Sequence, residues 1–295
     1  LAYCDILPTN QSTDVPLFLI HGSPGDGESM SELARQLSAR RRVIVPDLPG
    51  FGDSTHSIPD YSIKAHAQYL TALADELRIP KFDVLGFSMG GGVALNISDI
   101  APNRLRSVTL VSSIGVQEYE LLGQYHVNHA LHGIQLAFFW SLRELTPHFG
   151  LFDGMMVPYS RNFYDTDQRP LRNALAKAES PFLIIHGSLD PLVPVEAARE
   201  SARIVRQSEF LELSDENHFT VFMRHEKIAV PVEEFLLRVE NGSAKSRANA
   251  DQTRAADSEK NTQLKFAEAK GVAAVVFFLL IVLGTFITED LTCIA

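Results

Sequence analysis

A serine sits at the centre of Gly86-Phe87-Ser88-Met89-Gly90, and this constrains the chain more than any other feature. Residues 81–85 before it predict a strand, and residues 91–97 after it predict a helix. A serine held on a sharp strand-to-helix turn stands exposed at the tip of that turn. Small residues are needed two positions either side, because strand and helix come close there. In a chain with 18 glycines the five-residue pattern is weak by itself. The flanking strand and helix give it meaning.

The same alternation runs through residues 16–240. Apolar runs at residues 15–20, 42–45, 107–111, 182–185 and 210–213 predict strands, and residues 31–37 and 61–77 have helical spacing. Near-continuous apolar strands separated by helices imply a parallel sheet covered on both faces, an α/β fold. Residues 115–178 break the rhythm with no convincing strand. They hold a helical apolar segment at 131–142 and a polar, Arg-containing segment at 160–175, and an insertion this long predicts a folded cap.

A net charge of −10 with no Lys/Arg cluster argues against a nucleic-acid surface. Two cysteines, Cys4 and Cys293, form neither a disulfide framework nor a metal-ligand spacing, which suits a reducing compartment. The start of the sequence shows no basic region followed by an apolar core.

A serine hydroxyl is a poor nucleophile until a base takes its proton and an acid fixes that base's tautomer. For this type of turn the chain order is Ser, then Asp or Glu, then His. Asp190 lies just after the strand at 182–185, and His218 just after the strand at 210–213. Both are loops at carboxyl ends of strands, where α/β sites form. The other place for the acid holds Ser112-Ser113-Ile114, with no carboxylate before Glu118. Either residue alone reads equally as a turn or cap residue; the two together, in this order, point to catalysis. An oxyanion would need two N–H donors. Met89, at the start of the helix, supplies one. Ser23 in His21-Gly22-Ser23-Pro24-Gly25 supplies the other, since Pro24 has no N–H. Phe87, Phe138, Phe139 and Trp140 are candidates to line a substrate pocket, with core packing of the cap as the alternative.

These segments, together with Pro46-Asp47-Leu48-Pro49-Gly50-Phe51-Gly52-Asp53-Ser54 and His186-Gly187-Ser188-Leu189-Asp190, resemble the α/β-hydrolase fold superfamily over residues 16–240. The resemblance implies a Ser-Asp-His triad, a cap over the site and no cofactor. It leaves the substrate open, because the fold hosts esterases, lipases, peptidases, C–C hydrolases and lactonases. Ser88 excludes the epoxide hydrolase and haloalkane dehalogenase chemistries, which use Asp at this turn. The expected activity is ester or related acyl hydrolysis of a small-molecule substrate, lipid-like substrates included.

Residues 241–270 are polar and small and predict a linker. Residues 271–288 then carry no charge; as a helix they would span about 27 Å, against roughly 30 Å for a hydrocarbon core. A membrane segment is expected there, with a buried or re-entrant helix as the alternative. Six Lys/Arg precede it and Glu289-Asp290 follow it, which places the large domain on the cytoplasmic side. The run Gly284-Thr285-Phe286-Ile287-Thr288-Glu289-Asp290-Leu291 resembles the first membrane segment of DedA-like (VTT, SNARE-associated) proteins. That resemblance implies that residues 289–295 begin a further membrane domain, and it admits a second function: a ligand-sensing hydrolase-like domain attached to a transport or lipid-handling protein.

Other residues carry weaker signals. His126, His129 and His132 recur every three positions, but no Cys or paired carboxylate completes a metal site, so polar cap residues are expected and no metal. His186 reads as structural. Arg161, Arg169 and Arg172 would bind a substrate carboxylate or form a solvated face.

Overall fold

The computed structural model describes residues 1–8, 10, 15–145 and 156–250. Seven strands among these form one sheet: β1 (Tyr3–Ile6), β2 (Leu17–Ile20), β3 (Val43–Pro46), β4 (Phe82–Phe87), β5 (Leu105–Val111), β6 (Phe182–Gly187) and β7 (Ser208–Leu213). Their order is β1-β3-β2-β4-β5-β6-β7. Only the edge strand β1 runs antiparallel, against β3. Its mixed run Tyr3-Cys4-Asp5-Ile6 is mostly exposed, which is why apolar patterning did not reveal it.

Patterning predicted every one of these strands but β1, including β7, which is mostly half-buried. β2, β3, β4 and β6 are buried at every position, so helices must cover both faces of the sheet. Alternate residues feed two cores. Phe18, Ile20, Val84 and Leu110 pack against α2 (Ile63–Glu76) and α3 (Met89–Ile100). Leu17, Leu19, Leu85 and Val111 pack on the other face against α1 (Ser31–Leu37) and the later helix at Glu226–Glu240. Ser62 caps α2 by accepting from the Ala65 N–H at 3.1 Å.

Among the described residues between β5 and β6 stand three α-helices, α4 (Tyr125–Leu145), α5 (Met156–Asp165) and α6 (Leu171–Lys177). No strand lies among the described residues of this insertion. α6 differs from its neighbours: Leu171 and Leu175 join the core beside α3. After it come α7 (Val195–Ile204), α8 (Thr220–Met223) and α9 (Glu226–Glu240). The first ten residues of the expected linker fold back on the domain. Ala244 enters the second core, and Arg247 donates to the carbonyls of Ala176 and Ala178 at 2.5 and 3.2 Å.

The proposed membrane segment, residues 271–288, lies outside the described residues, as do 251–270 and 289–295. Among the described residues no helix is long and apolar enough to cross a membrane.

The order in which strands are added reverses between β2 and β4. From β2 the chain first adds β3 on one side, then returns to add β4 on the other. Loops leaving such a pair of strands diverge and open a crevice at their carboxyl ends. The backbones meet very closely there. A Cβ built on Gly86 would lie 2.3 Å from the Gly90 carbonyl oxygen, and one on Gly90 would lie 2.4 Å from that of His21. Both obstacles are main chain and cannot rotate away. Gly86→Ala is therefore expected to lower stability by about 3 kcal/mol, measured by denaturant unfolding.

His66 sits on the buried face of α2. Burial is the main cause that pushes its pKa down to about 3, with nearby His21 adding to the effect. In the unfolded chain it titrates near the ordinary value of 6.5. The unfolded state thus binds the extra proton between these values, and stability falls as pH falls through that window. Lowering pH from 7 to 5 should cost about 2 kcal/mol through this group. His66→Leu should flatten the pH dependence of the unfolding free energy by that amount.

Candidate active site

Ser88 joins β4 to α3 with φ +52° and ψ −119°. A residue with a side chain pays of order 1–3 kcal/mol in such a conformation and keeps it only where its surroundings impose it. They do here. The Ser88 N–H donates to the Val111 carbonyl at 3.0 Å, and its carbonyl accepts from Gly91 and Ile114 at 3.1 and 3.2 Å. Met89, the first residue of α3, is buried behind it.

Ser88 and His218 wall one cavity of about 140 Å³, together with Ser23 from the loop after β2. Asp190, in the loop after β6, reaches His218 from the other side: its Oδ2 lies 2.8 Å from His218 Nδ1. The Nδ1–H donates to this carboxylate, leaving Nε2 free to take up a proton. Phe87 packs against the imidazole, with ring centroids 5.0 Å apart, and is itself held edge-on by Phe222.

The surroundings of Asp190 explain its charge state. Its side chain is fully buried, which by itself raises a carboxyl pKa. Hydrogen bonds overturn that effect. Oδ1 accepts from the Leu192 and Val193 N–H groups, both at 2.9 Å, and Oδ2 accepts from His218. His186 Nε2 adds a contact at 3.3 Å. Together they hold the carboxyl well below the usual range. His186 Nε2 also lies 2.8 Å from the Val193 carbonyl, which can only accept, so the proton sits on that nitrogen. His186, read from the sequence as structural, thus shares the acid with His218. Its place four residues before Asp190 gave no hint of this.

The expected pocket residues lie elsewhere. Phe87 supports His218 but does not wall the cavity. Phe138 and Trp140 point outward, 45% and 55% exposed, while Phe139 is fully buried. The reason is the orientation of α4. Its buried positions are Asn128, His132, Gln135 and Phe139, a largely polar stripe, and its apolar residues Val127, Ile134 and Phe138 are exposed. The cap side of the cavity is formed by Tyr119, Glu120, His132, Tyr159, Phe163 and Gln168.

The three histidines of α4 are each engaged by neighbouring side chains. His126 packs edge-on to Tyr125, His129 stacks between Tyr125 and Tyr164, and His132 Nε2 pairs with Glu120 Oε1 at 3.1 Å. Among the described residues no group of three His, Cys, Asp or Glu is placed to hold a metal. The three arginines are engaged too. Arg161 pairs with Asp165 at 3.2 Å, Arg169 with Asp167 at 2.8 Å, and Arg172 with Glu118 and Glu200 at 2.9 and 3.0 Å. None of them walls the cavity.

Known proteins fit this geometry. A model of the alpha/beta hydrolase fold matches residues 15–145, and a model of TAP-like protein matches residues 161–247. A 2-hydroxymuconate semialdehyde hydrolase of Pseudomonas putida is 29% identical, covering 77% of this chain and 89% of its own. The dihydrolipoyllysine-residue acetyltransferase component of an acetoin cleaving system, also from Pseudomonas putida, is 29% identical over 72% of this chain; the chain spans only 61% of that protein. A solved esterase from Thermogutta terrifontis superposes with TM-score 0.68 at 22% identity, covering 81% of this chain and 93% of its own. Both matched families end by residue 247, so the likeness of the tail to DedA-like proteins gains nothing from them. Sheet order, the turn at Ser88 and these matches agree that the chain has the α/β-hydrolase fold.

Proposed function

We propose that the chain is a serine hydrolase that cleaves an ester or related acyl bond. One observation carries this: Ser88 and His218 wall the same cavity, and Asp190 Oδ2 lies 2.8 Å from the far nitrogen of that imidazole. In this reading Ser88 Oγ attacks the substrate carbonyl while His218 Nε2 takes its proton. The buried Asp190 carboxylate stabilises the resulting imidazolium. The Met89 and Ser23 N–H groups receive the oxyanion at the start of α3. Collapse of the tetrahedral intermediate expels the leaving group, which takes the proton from His218. Water, activated by the same imidazole, then releases the acyl group from Ser88.

A second reading is C–C bond hydrolysis on the same residues, favoured by the relative that is 29% identical over 77% of this chain. Parallel assays on 4-nitrophenyl esters and on 2-hydroxymuconate semialdehyde separate the two. Faster turnover of the ester supports acyl hydrolysis; faster turnover of the semialdehyde supports C–C cleavage.

Tethering to a membrane through residues 271–288, with the hydrolase domain on the cytoplasmic side, belongs to the same proposal. It is supported by 18 consecutive uncharged residues and the charges that flank them. In vesicle flotation the full chain should rise with the lipid, and a chain ending at residue 250 should not. Equal behaviour of the two would overturn tethering.

Ser88→Ala should lower turnover of an aryl ester by roughly 10⁴-fold or more. Asp190→Asn should lower it by about 10³-fold or more while leaving the fold intact, because the amide no longer fixes the His218 tautomer. A fluorophosphonate should label Ser88 in the folded protein. Absence of labelling would favour the alternative, a domain that senses a ligand without turning it over.

A further inference from the structure

The cap side of the cavity holds polar atoms that the protein itself leaves unsatisfied. His132 is 6% exposed and Gln168 2% exposed, and both wall the cavity. Neither His132 Nδ1 nor Gln168 Nε2 has a hydrogen-bond partner. Burying such groups without partners is costly, and they are rare in native structures unless a ligand or water completes them.

The chemistry of the two atoms narrows what would complete them. Glu120 is crowded with donors: His132 Nε2 at 3.1 Å, Asn128 Nδ2 at 3.3 Å and Gln117 Nε2. This network fixes the His132 ring with its Nε2–H on the carboxylate. The other ring nitrogen, Nδ1, is left without a partner. Gln168 Nε2 can only donate. One wall therefore holds two unpartnered nitrogens, an imidazole Nδ1 and an amide that only donates. A hydroxyl group is the small function that both gives and takes a hydrogen bond. A carboxylate suits the site poorly: Glu120 already places a carboxylate on this wall, and no Lys or Arg faces the cavity. The remaining walls carry Ile114, Val116, Leu121, Phe163 and Leu192, apolar side chains that accept a carbon chain, beside the hydroxyl-bearing Ser23, Tyr119 and Tyr159.

We infer that His132 and Gln168 form a subsite that selects substrates whose acyl portion carries a hydroxyl group away from the bond that is cleaved. Glu120 is a positioning residue that holds the His132 ring. The inference rests on the acyl-hydrolase reading for its place in a reaction, but its test reads binding alone.

The probes are 4-nitrophenyl esters of butanoic, 3-hydroxybutanoic, hexanoic and 6-hydroxyhexanoic acid. Each is titrated calorimetrically into the full chain carrying Ser88→Ala, which prevents turnover if Ser88 is the nucleophile. At least one hydroxylated ester should bind about tenfold more tightly than its unsubstituted partner, the effect of satisfying buried groups otherwise left unpaired. In Ser88→Ala with His132→Phe, and in Ser88→Ala with Gln168→Leu, that ratio should fall to near one. The ratio within each variant cancels any general loss of folded protein. Equal binding of both pairs to the chain with only Ser88→Ala overturns the subsite, whether or not the His132 and Gln168 variants fold. A preference that survives both added substitutions overturns it as well. Fluorophosphonate labelling of the native chain reports separately on the catalytic reading, so failure of one claim is not mistaken for failure of the other.

Discussion

The site depends on a contact between main chains. The end of β2 and the start of α3 approach so closely that a Cβ on Gly90 would sit 2.4 and 2.6 Å from the carbonyl oxygens of His21 and Ile20. This proximity sets Ser88 beside the loop that carries Ser23, at the point where strand order reverses. Side chains bring the other groups in. Asp190 and His218 arrive on loops after β6 and β7, and they meet because those strands pair in parallel register, His186 against Glu212 and Gly187 against Leu213. A sheet of this order turns residues 88, 190 and 218, distant along the chain, into neighbours.

Asp190 is the most heavily constrained group in the site. Two backbone N–H groups hold one of its oxygens, and two imidazoles share the other. Such a carboxylate has no hydrogen-bonding capacity left over and no freedom to rotate. His218 therefore inherits a fixed orientation from a loop anchored at four points. Phe87, one residue before the serine, presses on the same ring. The turn that presents Ser88 thus also steadies the imidazole beside it.

The residues at the sheet edge were legible because their signals are local. Ser88 is marked by the glycines its turn demands, and Asp190 and His218 by their places after apolar strands. The cap was not legible in the same way. Amphipathic spacing in α4 shows that the helix has two faces but not which one turns inward. The usual rule buries the apolar face. In α4 the inward stripe is Asn128, His132 and Gln135, satisfied in part by Glu120, a residue from a preceding turn that no periodicity connects to it. Phe138 and Trp140 were therefore expected inside and lie outside. β1 escaped notice for a related reason: an edge strand exposed on three of four residues has no apolar run to announce it.

The backbone at Ser88 has one more effect. Its left-handed conformation suits glycine, and holding serine there costs of order 1–3 kcal/mol. Whole domains of this kind are stable by only about 5–15 kcal/mol. A glycine at this position would fold more firmly and lack the hydroxyl. Under the serine-hydrolase proposal, the strain at this turn is what the fold carries in order to keep a hydroxyl there.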